Sequence, residues 1–220
     1  MFSKLLPSCV ASVARETDDI FEHNKYDLFP EEMAVISRAV ERRKRDFITA
    51  RKCAHQALNQ LGLPRSPILR GANGEPLWPG TVVGSITHCT GYCAAAVAMQ
   101  RDALTIGIDV EVNERLPDGV VEQVLVPKER DWLLEAPEGP HWDKLFFSAK
   151  ESVYKAWFPM TGRWLDFQEA VITFDPANQC FKANLVAKSN EAQPIKGFTG
   201  AYLAHGTFLF TSVVAMRRSP

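Results

Sequence analysis

No stretch of this chain is both apolar and as long as the ~20 residues a membrane helix needs, so no membrane partner is expected. Cysteine is sparse. Cys9, Cys53, Cys89, Cys93 and Cys180 form an odd set without the density of a disulfide scaffold, which points to free thiols in a reducing cytoplasm. His88, Cys89 and Cys93 in HCTGYC lack a second ligand pair of matching spacing, so a zinc site is not expected. Net charge is only −1, which argues against a protein that coats nucleic acid. A Walker-type phosphate loop, a dinucleotide glycine fingerprint and a G-x-S-x-G nucleophile elbow are all missing. The opening MFSKLLPSCVASVA is interrupted by Pro7 and Ser8, falls short of the ~7–15 apolar residues of a signal peptide, and reads as an N-terminal strand.

What is present is ordinary globular composition, 46% hydrophobic and 23% charged, arranged in two passes of the same grammar. Pro30-Glu31-Glu32 opens a helical pattern that runs to Leu61, with a break expected near Arg42. A Pro/Gly-rich loop follows, then strands at Val82–His88, Tyr92–Ala98 and Ile106–Val112. The second pass predicts helices at Val120–Leu125, Glu129–Leu134 and Trp142–Trp157. Strands at Ala170–Phe174, Phe181–Val186, Thr199–Ala204 and Phe208–Ala215 complete it. The expected fold class is α+β, with subdomains 1–105 and 106–220 related by a pseudo-two-fold and a cleft between them. No residue-level repeat supports the duplication.

Three clusters carry chemistry. On GIDVEV, alternation sends Ile108, Val110 and Val112 to one face and places Asp109 and Glu111 side by side on the other, two like charges that need a counter-ion. In WDKLFFSAKESVYKAW, Leu145, Ala149, Val153 and Trp157 form a buried stripe, with Lys150, Glu151 and Lys155 off it. Glu151 and Lys155 are equally consistent with a solvent-facing i,i+4 pair. Together, however, Asp109, Glu111 and Glu151 could hold magnesium, with Lys150 and Lys155 against phosphate; manganese suits the same oxygens. On the basic helix segment Glu41–Lys52, Arg43, Phe47 and Arg51 share a face that Arg70 could join, giving either a solvated face or a three-guanidinium phosphate grip. His88, at the end of SITH, suits hydrogen bonding to phosphate.

In this order, RRKRDFITARKCAHQAL, ILRGANGEPLWP, GSITHCTGYCAAAVA, IGIDVEV and FFSAKESVYKAW resemble the 4′-phosphopantetheinyl transferases, especially the single-chain surfactin-type branch. The resemblance implies a pseudo-dimer that binds coenzyme A between its halves. Phosphopantetheine would pass to a serine of an acyl or peptidyl carrier protein of polyketide, nonribosomal peptide or fatty-acid synthases. It further implies that Arg43, Arg51 and Arg70 grip the adenosine 3′-phosphate, with Gly71, Ala72, Asn73 and Thr87 lining that pocket and His88 on a phosphate. Asp109, Glu111 and Glu151 would hold magnesium, Lys150 and Lys155 would stabilise the pyrophosphate, and Leu165 would flank the pantetheine arm. Many relatives carry Lys where this chain has Arg70, which keeps the charge. Glu151 is the preferred general base, with a metal-bound hydroxide as the alternative, and Lys155 is its catalytic companion. Val120, Val121, Val124 and Leu125, edged by Lys128 and Arg130, form either a carrier-binding patch or two packed helices. A monomer is expected, since one chain supplies both walls. The competing readings are a magnesium-dependent nucleotide pyrophosphohydrolase and a non-catalytic nucleic-acid-binding module.

Overall fold

The computed structural model describes residues 1–16, 28–186 and 195–217. The first half runs β1 (Ala11–Glu16), α1 (Pro30–Val35), α2 (Glu41–Gln60), a short hairpin of β2 (Leu69–Arg70) and β3 (Pro76–Leu77), then β4 (Val82–Cys89) and β5 (Tyr92–Met99). The second runs β6 (Ala103–Val112), α3 (Val121–Val124), α4 (Pro127–Leu134), α5 (Trp142–Thr161), a hairpin of β7 (Ala170–Asp175) and β8 (Cys180–Leu185), then β9 (Gly197–His205) and β10 (Phe208–Met216). In each half the first strand pairs with the last and the last with the one before it. The sheets are β1-β5-β4 and β6-β10-β9-β8-β7, antiparallel throughout. The chain is thus α+β with two sheet-containing subdomains.

Side-chain alternation stacks these layers. On β5, Ala95 and Val97 meet Ala54, Ala57 and Leu58 of α2, while Ala94, Ala96 and Ala98 face Ile106, Ile108 and Val110 of β6. Both faces of β5 are covered, which is why small residues fill it. The α5 stripe Leu145, Ala149, Val153 and Trp157 is buried against the second sheet. Burial of each large member contributes about 1.5–3 kcal/mol. Gly107 lets α5 approach β6, because a Cβ there would collide with the Ser152 carbonyl.

The halves meet along β4 and β6 through side chains rather than a backbone ladder. The Ile108 N–H donates to Ser85 Oγ and the Val110 N–H to Thr87 Oγ1, both at 3.1 Å.

A residue-level repeat also emerges. Phe29-Pro30-Glu31-Glu32 and Val126-Pro127-Lys128-Glu129 each start a short helix with Pro at the first position and a buried Glu two residues later. Each Glu caps its own helix by accepting the N–H of Phe29 (3.0 Å) or Val126 (2.9 Å). Each also accepts an N–H near the following hairpin, from Ile68 (2.9 Å) or from Ile172 (2.6 Å). Two matching positions in a four-residue stretch are too few to stand out in a sequence.

One expectation needs correction. The first ten residues are not strand: Phe2–Lys4 is a 3-10 turn, and Phe2 packs edge-on against Phe210 at 5.3 Å. Pro7 has no N–H to give a ladder, and its carbonyl instead accepts from Val10 at 2.9 Å. The helix break expected near Arg42 is present, at residues 36–40.

Candidate active site

The arginine cluster assembles. Arg43 and Arg51 from α2, Arg70 from β2 and His88 from β4 line one cavity of ≈ 370 Å³, together with Asp46, Phe47 and Ile86. The Arg51 guanidinium lies over the Phe47 ring, 4.7 Å from its centre. Arg43 Nη1 donates to His88 Nε2 at 3.2 Å. Burial and the Arg43 charge lower the His88 pKa, so the ring is neutral at pH 7. Gly74, at φ +93°, lets the Arg70 guanidinium lie against the loop, where a side chain would crowd it. Asn73 donates its N–H to Glu75 Oε2 at 3.0 Å. Gly71 leaves room for the Glu75 carboxylate. Gly71, Ala72 and Asn73 do not line the arginine cavity, and Asn73 borders the larger cleft beside it.

One residue along β4 the chemistry changes. Thr87 turns away from the arginines, correcting its expected place in their pocket. Its hydroxyl donates to Asp109 Oδ1 at 3.1 Å. Lys155 reaches the same oxygen at 2.6 Å and also approaches the Ile108 carbonyl at 3.3 Å. Asp109 is 3% exposed, and its Oδ2 is buried with no hydrogen-bond partner. Glu111 stands 3.7 Å from Lys144. Burial, then the Asp109 charge, push Glu111 up to about 7. Burial also raises Glu151, with Lys155 lowering it and Asp109 raising it. For Lys155, burial works against the charged form, but Asp109 and Glu151 more than offset it and the pKa rises.

Among the described residues, no three Asp, Glu, His or Cys side chains form a finished metal cage. Magnesium does not require one, since it binds through one or two carboxylates plus water and phosphate oxygens. The unpartnered Asp109 Oδ2 and the mutual repulsion of Asp109, Glu111 and Glu151 fit such an ion.

Lys150 does not join this group. Its ammonium pairs with Glu129 at 2.7 Å and donates to the carbonyls of Val124 (2.8 Å) and Phe167 (2.9 Å). An ammonium has three donors, and all three are used. Lys150 therefore ties α3, α4 and the segment after α5 together beside Glu151, and is not free to meet a pyrophosphate. Leu165 lines a cavity of ≈ 140 Å³ with Glu151, Tyr154 and the exposed Trp164. A larger cleft of ≈ 840 Å³ lies between β4 and α5, bordered by Trp78, Lys155 and Phe158, and shares Gly74, Pro76 and Ile86 with the arginine cavity. Val124 and Leu125 are core residues, so the apolar patch proposed around them is reduced to half-buried Val120 and Val121 beside exposed Lys128 and half-buried Arg130.

Sequence reasoning missed Glu32, Lys144, Tyr154 and Trp164 at or beside these cavities. The Pro-x-Glu repeat was the signal available for Glu32; isolated aromatic and basic residues offered none.

An α+β protein in which consecutive residues of β4, Thr87 and His88, touch an acid-lysine cluster and an arginine cavity belongs among phosphate-handling proteins. Its relatives narrow the class. The 4′-phosphopantetheinyl transferase N-terminal domain matches residues 31–98, and the 4′-phosphopantetheinyl transferase superfamily matches residues 105–201. The chain is 45% identical over 218 residues to the 4′-phosphopantetheinyl transferase Svp of Streptomyces mobaraensis, covering 97% of this chain and 88% of that one. It is 42% identical over 225 residues to the 4′-phosphopantetheinyl transferase Npt of Nocardia iowensis, covering 97% and 99%. It is also 46% identical over 160 residues to the 4′-phosphopantetheinyl transferase PptT of Mycobacterium tuberculosis, covering 72% and 70%. The chain belongs to the 4′-phosphopantetheinyl transferase family and is an enzyme of that family.

Proposed function

We propose that this chain moves the 4′-phosphopantetheine arm of coenzyme A onto a serine hydroxyl of an acyl or peptidyl carrier protein and releases adenosine 3′,5′-bisphosphate. The observation that carries this reading is on β4. His88 sits in the arginine cavity and its neighbour Thr87 sits on Asp109, so one extended ligand with two separated anionic groups can touch both clusters.

In this reading 1–105 serves the adenosine-phosphate end and 106–220 the pyrophosphate end. Arg43, Arg51 and Arg70 hold the 3′-phosphate through charge-assisted hydrogen bonds. Asp109, Glu111 and Glu151 would hold magnesium or manganese, which when bound supplies positive charge beside the pyrophosphate. Lys155 places a fixed cation beside the same group. The serine oxygen forms a bond to the phosphorus that carries pantetheine, and the bond from that phosphorus to the oxygen of the adenosine 5′-phosphate breaks. Glu151 accepts the serine proton; its upward-shifted pKa makes it a better base than an ordinary carboxylate. Leu165 and Tyr154 border the arm on the Glu151 side.

The carrier docks beside Lys128, Arg130, Val120 and Val121, where cations edge a small apolar area suited to an acidic helix. Two sheet-containing subdomains in one chain support the surfactin-type branch and a monomer, and the free cysteines support a cytoplasmic setting. No helix among the described residues is long and apolar enough to cross a membrane. Carriers of polyketide, nonribosomal peptide or fatty-acid synthases are the partner class, and nucleic acid is not. Mass spectrometry of an apo carrier domain incubated with enzyme, coenzyme A and magnesium tests the reading. A gain of one phosphopantetheine group is expected, and coenzyme A hydrolysis with an unmodified carrier would instead establish a pyrophosphohydrolase.

A further inference from the structure

Behind the arginine cavity lies a buried acid that no step above uses. Glu32 is 0% exposed. His55 Nε2 donates to both of its carboxylate oxygens, at 2.9 and 3.0 Å, and the N–H groups of Ile68 and Phe29 take one oxygen each. Burial pushes its pKa up, but His55 and the two backbone donors outweigh burial and hold it below the ordinary value, so it is charged.

Arg51 Nε stands 3.9 Å from Glu32 Oε1, an ion-pair separation without a hydrogen bond. Arg51 is only 5% exposed, yet it lines the cavity. Burial and the neighbouring Arg70 both work against its charge, and Glu32 favours it. A guanidinium buried this deeply needs a countercharge. Glu32 supplies that charge without itself lining the cavity. The Ile68 N–H that it anchors lies two residues before Arg70, so the same carboxylate fixes the start of β2.

We propose that Glu32 is a positioning residue that makes the cavity selective for a 3′-phosphate monoester, by presenting Arg51 and by anchoring the strand that delivers Arg70. The inference rests on the coenzyme A reading and assigns the origin of its 3′-phosphate selectivity. Glu129 provides the internal control. It braces its own half in the same way, but its partner Lys150 has no donor left for a ligand.

The test is calorimetric binding of adenosine 3′,5′-bisphosphate and of adenosine 5′-monophosphate to the full chain, read as the ratio of affinities. Wild type is expected to prefer the bisphosphate; a chain that binds neither refutes the coenzyme A reading itself. Glu32→Gln should lose roughly tenfold or more of that preference, with monophosphate affinity nearly unchanged, while Glu129→Gln keeps the wild-type ratio. A wild-type ratio in Glu32→Gln, or an equal loss in Glu129→Gln, overturns the proposal. Should Glu32→Gln fail to fold, Glu32→Asp keeps the charge but withdraws it by one methylene. A loss of several-fold (about 1 kcal/mol) is then expected, and an unchanged ratio overturns the assignment.

Discussion

Glu32 and Glu129 close corresponding corners of the two halves, each capping a Pro-started helix and pinning a backbone N–H near the next hairpin. Their partners differ. In the first half the acid is shared by His55 and by Arg51, which leaves the Arg51 fork directed at a cavity. In the second half Glu129 takes Lys150, whose remaining donors end on two carbonyls, so Lys150 borders the small cavity beside Glu151 without a donor left for a ligand. Five residues along α5, Lys155 reaches Asp109 instead and stays at the edge of the large cleft. Two lysines of one motif thus do different work. Counting donors and acceptors separates them where sequence proximity does not.

Asp109→Ala should have the largest effect, removing both the Lys155 partner and the unpaired oxygen offered to a cation. Transfer to an apo carrier is expected to fall on the order of 10²–10³-fold, and a fall of only a few-fold would dissociate Asp109 from the chemistry. The lysine pair comes next. Lys150→Met strands a buried Glu129 and should cost about 3–5 kcal/mol in urea unfolding, with turnover per folded molecule largely kept. Lys155→Met should lower transfer by about 10²-fold; it strands Asp109, but Lys155 is 26% exposed and Asp109 keeps Thr87, so its cost in unfolding should be smaller than that of Lys150→Met. Matching profiles for the two variants would break the distinction between the two lysines of α5.

Arg51→Gln should raise the coenzyme A KM by roughly tenfold or more and leave kcat close to wild type; a kcat effect with normal KM would move Arg51 to the reacting end. The smallest effect concerns Glu111, whose pKa rises from 4.5 in its ordinary state to about 7 here. Between those values the folded chain binds more protons than the unfolded one, so this group makes stability fall as pH rises across that window. In metal-free thermal melts Glu111→Gln should flatten the decline, and an identical slope would show that its carboxylate is not held as described.

Much of this was legible in the sequence because it depends on period. The alternation of GIDVEV placed Asp109 on the cleft side, and four-residue spacing brought Arg43 and Arg51 to one cavity. What depended on competing acceptors was hidden. Lys150 looked like a ligand residue because Glu129, Val124 and Phe167 are distant in sequence, and Thr87 looked like a pocket residue because its exchange with Asp109 crosses two strands. Val124 and Leu125 read equally well as core or as docking surface, and the packing of α3 decided for core. The Pro-x-Glu repeat was too short to stand out in the sequence, and its meaning needed the hydrogen bonds that give both glutamates the same task.

The central claim is that one ligand bridges the arginine cavity of the first half and the Asp109–Lys155 cluster of the second. Calorimetric titration of the wild-type chain with coenzyme A and magnesium tests it most directly, alongside Arg51→Gln and Lys155→Met. One coenzyme A per chain is expected, bound more weakly by each variant. Two independent sites per chain, or wild-type affinity in either variant, would contradict it.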